Sequence, residues 1–314
     1  MKRNLLFLFL ILFIISTKTF AQPFVDVLNF SYQTFSTSYK DTTRWKNKTD
    51  NYTLNLFLPK EFKNGNTLLV RINSEFINSN ILSDSAYSRQ LGSVSIPLGF
   101  MFVSKNKKWK TVAMVVPKMA SDFTDNATID YNYQLGGIFI ENFQIKENIK
   151  FKLGLYYNRE AFGAGLHNIS KPFGDFIIPL VGVDWKINKR MNLYGILPTN
   201  YKFEVNIIKN RLYSGLCFRS FTRSFRLSKG NNYDYVRYNE IELKLFFDCF
   251  VAKKILVFAE AGYMLGKSPV QYIYNTTDIA YYNPVYTPTQ PSMLFNFGIA
   301  YRIRQELEKK QESK

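Results

Sequence analysis

Hydrophobic and polar positions alternate along most of the chain. In "YTLNLFL" (52–58), "FKLGLYY" (151–157), "YKFEVNI" (201–207) and "IELKLFF" (241–247) the apolar residues recur at every second position. That is the period of an extended strand whose two faces meet different surroundings. No stretch sustains the 3.6-residue period of a helix, so the pattern predicts an all-β chain from Pro23 onward.

The separators alternate in length. Short polar turns fall at 63–66, 105–108, 145–148, 188–190, 209–211 and 252–254, and longer polar stretches lie between them at 39–50, 79–91, 119–130, 160–175, 227–234 and 266–290. Only "LPTN" (197–200) breaks the rule. Short turns at one end and long loops at the other are the layout of an up-and-down antiparallel barrel that crosses an outer membrane. The segments number about fourteen, or twelve if "LPTN" is a kink within one segment, and most are near the ~9–11 residues a tilted strand needs to cross the hydrocarbon. An even count puts both termini in the periplasm with the short turns. Closure follows from lipid itself, where each backbone N–H and C=O must find a partner within the protein.

The strand "NFGIAYRI" (296–303) has the same alternation. Phe295, Phe297, Ile299, Tyr301 and Ile303 are expected to face lipid, and Asn296, Gly298, Ala300 and Arg302 the lumen. Asn296, Gly298, Tyr301 and Ile303 also fit the last-strand pattern read by the outer-membrane barrel assembly machinery: polar, any, Gly, any, any, aromatic or apolar, any, apolar. Residues 304–314, "RQELEKKQESK", are expected to form a polar periplasmic tail.

The first 21 residues have a different organisation. Lys2 and Arg3 precede an apolar run from Leu5 to Ile15, and the segment ends at Ala21. This is a secretory signal layout, with a run too short to span a bilayer as a helix. Cleavage is expected after Ala21, leaving 22–303 as the barrel. Losing Lys2, Arg3 and Lys18 lowers the net charge from +17 to +14. No later stretch holds 18 apolar residues without a charge.

Composition sharpens this picture. Aromatics make up 17% of the chain, with 21 Tyr and 29 Phe, while 21% is charged and the mean hydropathy is −0.17. So many aromatics in a polar chain suit the two interfaces of a membrane barrel.

Three stretches, "FKLGLYYNREAFG" (151–163), "FIIPLVGVDWKINKRMNLYGILP" (176–198) and "RLYSGLCFRSFTRSFRL" (211–227), carry a resemblance. Through Pro179, Gly182, Asp184, Trp185, Lys186, Ile187, Asn188, Leu197, Pro198, Gly215 and Arg219, the chain resembles an uncharacterised bacterial outer-membrane β-barrel family, domain of unknown function 6268. About a quarter of the chain carries the resemblance closely. It implies the barrel fold and a Gram-negative outer-membrane location, and brings no activity with it. In "VDWKIN" Trp185 falls in register with Val181 and Val183 on the lipid side, where an indole suits the headgroup boundary.

Catalytic chemistry has little to stand on. The single histidine, His167, has no nucleophile elbow beside it, and no phosphate-binding glycine loop is present. Cys217 and Cys249 fall at different heights on neighbouring strands, which predicts two free thiols. The basic residues are spread among turns and loops without a stripe of stacking aromatics, so nucleic acid is not an expected partner, and neither enzyme activity nor a cofactor is expected.

The alternation points Asp184, Lys186, Glu204, Arg219, Glu240, Glu242, Lys244 and Glu260 into the lumen, with Arg223 higher on its strand. These charges could tune a polar conduit or pair across strands and brace the interior. The leading expectation is a passive pore or transporter for small hydrophilic solutes. The alternative is a plugged barrel serving as a structural or surface-interaction protein through the 268–292 loop, which carries Tyr272, Tyr274, Tyr281, Tyr282 and Tyr286.

Overall fold

The structure, a computed structural model, describes residues 24–38, 46–82, 87–106, 108–124, 132–161, 173–227, 235–272, 285–286 and 289–304. The expected signal segment, His167, most of the tyrosine-bearing loop and the tail beyond Arg304 lie outside the described residues.

The strands are β1 (Phe24–Ser38), β2 (Lys46–Glu61), β3 (Thr67–Leu82), β4 (Tyr87–Ser95), β5 (Leu98–Val103), β6 (Trp109–Asp122), β7 (Asn132–Lys146) and β8 (Ile149–Ala161). They continue as β9 (Phe173–Lys186), β10 (Met191–Leu197), β11 (Asn200–Ile208), β12 (Leu212–Arg226), β13 (Tyr235–Phe250), β14 (Ile255–Tyr272), β15 (Val285–Tyr286) and β16 (Ser292–Arg304). Neighbours pair antiparallel in a ring that closes through β1–β16, β14–β16 and β13–β14. β4 and β5 form one crossing and the two-residue β15 pairs only with β14, so the barrel has fourteen strands.

The break between β4 and β5 falls at Ile96–Pro97 because proline has no N–H to give to a ladder. The wall remains bonded there: Arg71 N donates to Pro97 O at 2.9 Å and Ile96 N to Pro117 O at 3.0 Å. Most crossings are longer than the span of the hydrocarbon requires, with 16 residues in β2 and 18 in β14. Pairing continues past the membrane boundary, where inward polar side chains take over, as when Ser79 donates to Asn47 at 2.7 Å.

"LPTN" is the turn of a hairpin and not a kink. It joins β10, of seven residues, to β11, of nine. Their neighbours rise higher. β9 pairs with β10 only from Val181 downward, and β12 with β11 only from Arg219 downward. Ser220 N bonds the turn at Thr199 O, 2.9 Å, and above that link the wall has a notch between β9 and β12.

The outer surface carries a continuous apolar belt. Leu54, Leu153, Leu155, Leu243, Leu245, Phe295, Phe297 and Ile299 are all exposed. A belt of this size would be unsatisfied in water and is the surface a bilayer covers. Aromatic pairs mark its edges. Trp109 packs edge-on to Phe143 at 4.3 Å and Phe62 stacks on Phe100 at 5.8 Å at the short-turn end, while Tyr32 and Tyr52 meet at 5.0 Å toward the other. Trp185 is exposed beside the short turn after β9.

One lipid-facing expectation fails. Ile303 is only 1% exposed. A bulge between Asp26 and Leu28 shifts the register of β1, and the strand start beyond it, with Ile303's partner Val25, is buried inside the barrel end. A bulge reorients the side chains that follow it, and alternation counted along β16 alone carries no sign of a bulge in its neighbour.

Candidate functional site

The lumen is the one interior surface with chemistry, and its charged side chains come from nearly every strand. On the β13–β14 wall Lys244 lies 2.8 Å from Glu242 and 2.6 Å from Glu260. Gln33 on β1 donates to Glu242 at 2.6 Å and Asn296 on β16 to Glu260 at 2.9 Å. Lys202 and Arg219 each stand 3.9 Å from Glu260. Glu204 is fully buried and accepts from Asn192 at 3.1 Å and Tyr194 at 3.3 Å. Asp184 pairs with Lys152 at 2.6 Å. These groups survive away from bulk water because each carboxylate meets a cation or a hydrogen-bond donor.

Lys186, expected in the lumen, is exposed at the short turn after β9, where its backbone bonds to Asn148. Its cross-strand neighbour is Asn192, whose side chain bonds Glu204, so Lys186 shares that face at the open short-turn mouth of the barrel.

Toward the long-loop end the lumen narrows. Arg223 on β12 reaches Glu240 on the adjacent β13 and, across the ring, Glu75 on β3. Above it Ile77, Leu91 and Ala120 from β3, β4 and β6 pack against Phe225, Leu227, Val236 and Tyr238 on and beside β12 and β13. Arg226 even pairs in parallel with Ser121 of β6. The β12–β13 hairpin therefore leans inward where β11 no longer supports it. Its other face is polar there: Thr222 donates to Asn239 at 3.0 Å, and Gln134 of β7 donates to Ser224 O at 3.0 Å.

The short-turn end narrows as well. Phe24, at the inward-turned start of β1, meets Tyr194 of β10 edge-on at 5.6 Å. Arg302 lies over the Phe24 ring at 3.8 Å, holds Asp26 through two bonds of 2.5 and 2.9 Å, and also bonds Asp248. Beside this plug Val25, Phe57, Leu69 and Met101 form an apolar floor.

Between the two constrictions lies a cavity of about 870 Å³. Its lining includes eight Lys and Arg against four Asp and Glu, and two of those cations, Lys152 and Arg223, are also paired with Asp184 and Glu240 behind it. The β1–β4 wall has a different character. Asn29, Asn55, Asn73 and Ser95 sit opposite one another in register, followed by Lys118 on β6.

Arg71, Glu75, Lys152 and Asp248 were not singled out in the sequence, although alternation puts each on the polar face of its strand, and Asp26 has the parity of Leu28 and Phe30 and comes inward through the β1 bulge. The available signal was a charge in step with the polar positions of its strand, as Arg71 and Glu75 are with Asn73. Cys217 and Cys249 are free thiols, as expected, with Cys217 opposite Lys244 and Cys249 opposite Leu212.

A closed antiparallel barrel with an apolar belt outside and a charged, polar lumen inside is an outer-membrane β-barrel of the Gram-negative kind. No family model and no curated protein matches the chain. Among solved structures it is similar to the P. putida toluene transporter TodX, with 9% identity, a TM-score of 0.45, and 88% of this chain and 89% of that one covered. It is also similar to the NanC porin, at 12% identity and TM-score 0.33 over 88% and 100% of the two chains. A third likeness is to the translocator domain of the autotransporter NalP from Neisseria meningitidis, at 9% and 0.38 over 90% and 89%. At these identities the likeness is one of fold alone.

Proposed function

We propose that the barrel is a gated passage for small hydrophilic solutes. The observation that carries this reading is a polar chamber of about 870 Å³ held between two constrictions made of a few side chains each. A barrel braced only for strength would fill its middle as it fills its ends. This one leaves space lined by amides, hydroxyls and cations, the groups that replace a solute's hydration shell.

The alternative, a plugged barrel with a structural or surface-interaction role, draws its support from the apolar contact between opposed walls above Arg223. Single-channel recording of the purified mature protein in planar bilayers separates the two. Stable ohmic steps support the passage. A barrel that is folded, as judged by heat-modifiable migration, yet electrically silent and impermeable to small sugars in liposome swelling removes it and leaves the structural reading.

A further inference from the structure

Of the four carboxylates that line the chamber, each is already engaged. Asp26 and Asp248 are held by Arg302, Glu75 by Arg223, and Glu260 by Lys244 and Asn296. The lysines and arginines on the lining outnumber these carboxylates, although Lys152 and Arg223 are also held by Asp184 and Glu240. Arg71 is the clearest case. It projects from β3 into the chamber, stays exposed there, rests 5.0 Å over the Phe57 ring, and forms no ion pair with any described residue. The acid whose field reaches it, Asp26, is the one tied twice to Arg302. Lys202 and Arg219 stand on the same lining, each 3.9 Å from Glu260, a carboxylate they share with Lys244.

The same chamber presents a row of uncharged donors and acceptors. Asn29, Asn55, Asn73 and Ser95 are cross-strand neighbours, so their side chains point the same way, and Asn73 donates to Ser95 at 3.1 Å. An amide offers both a donor and an acceptor, which matches a hydroxyl. A cavity of this volume is in the range that takes one small organic molecule.

Resting on the passage reading for how a solute enters, we propose that the chamber selects polyhydroxylated organic anions, such as a sugar acid. Arg71 and the neighbouring cations take the carboxylate, and the asparagine row takes the hydroxyls. A neutral sugar meets only the second set. A simple inorganic anion meets only the first.

The test uses the full-length mature protein in planar bilayers, with glucuronate and glucose as matched probes differing in one carboxylate. The expected results are a reversal potential showing anion preference in a KCl gradient, and block by glucuronate at a concentration about tenfold below that needed with glucose, a difference of ~1.4 kcal/mol. Arg71→Gln is expected to erase that difference in a barrel that still folds, as judged by heat-modifiable migration. Equal block by the two probes, or cation preference, overturns the selectivity and leaves the passage standing. If the barrel is silent, the passage reading fails and titration calorimetry on the folded protein decides the chamber: tighter glucuronate binding that Arg71→Gln removes supports it, and no difference between the probes overturns it.

Discussion

Arg223 of β12 and Glu75 of β3 stand 148 residues apart in the chain and pair across the barrel, with Glu240 completing a three-member bridge. All three side chains are largely enclosed. Such a bridge is weakly stabilising in total, because burying charges costs about as much as pairing them returns, but it fixes how close two walls can stand.

Replacing Arg223 by alanine should loosen the outer constriction and remove one cation from beside Glu75 and Glu240. Single-channel conductance should rise about twofold or more, and permeability should shift toward cations, since the constriction loses a positive charge and keeps both carboxylates. Phe225→Ala, which thins the apolar contact above, should raise conductance without the shift in selectivity. An unchanged current in both variants would place the limiting constriction elsewhere.

Phe24 and Tyr194 predict a second, independent control point. Phe24→Ala should increase conductance by opening the short-turn end, and the effect should combine with that of Arg223→Ala more than additively if the constrictions lie in series. Tyr194→Phe keeps the ring contact and loses the hydroxyl that Glu204 accepts from at 3.3 Å. It should therefore leave the current near wild type. Noise analysis of the same recordings would show whether Phe24 moves while the pore is open.

Arg302 ties β16 to β1, the closing seam, and to β13. Its side chain is 4% exposed and meets Asp26 and Asp248. Arg302→Leu leaves two carboxylates without their cation, and breaking a buried pair in this way costs about 3–5 kcal/mol. Asp26→Asn should cost less, since Asp248 remains. Urea unfolding of the protein in lipid vesicles, followed by tryptophan fluorescence, measures both.

Gly298 lies within the last-strand pattern, and the structure adds a packing reason for it. A Cβ there would strike the Phe258 ring and the Phe30 carbonyl. Gly298→Val should therefore lower stability by about 1–3 kcal/mol, as overpacking does, and Phe258→Ala in the same chain should recover part of the loss. Refolding into pure lipid distinguishes this from a recognition role. A Gly298→Ala chain that refolds normally in vesicles but fails to assemble in cells would show that the assembly machinery reads the glycine itself.

The alternation of side chains is local, and for that reason the sequence alone determined much of this protein. Period two in every segment defined the strands and divided most inward from outward positions. The contrast between short and long separators defined the up-and-down order. Lipid's demand that the backbone be satisfied then left a closed barrel as the outcome. Even Glu204, Glu240, Glu242, Lys244 and Glu260 could be placed inside, since facing requires only a count along one strand.

What stands opposite what is another matter. The pairing of Arg223 with Glu75, the contact of Phe24 with Tyr194, and the row from Asn29 to Ser95 depend on how many strands lie between them and on the stagger with which the ring closes. A bulge in β1 buried Ile303, although alternation along its own strand placed it otherwise. The short β10–β11 hairpin let β12 lean inward, which brought apolar residues from opposite walls together and narrowed the long-loop end of the chamber, as Phe24 and Tyr194 narrow the other. Facing is a property of one strand, whereas closure, depth and contact across the lumen are properties of the whole ring, and only the tertiary structure decided them.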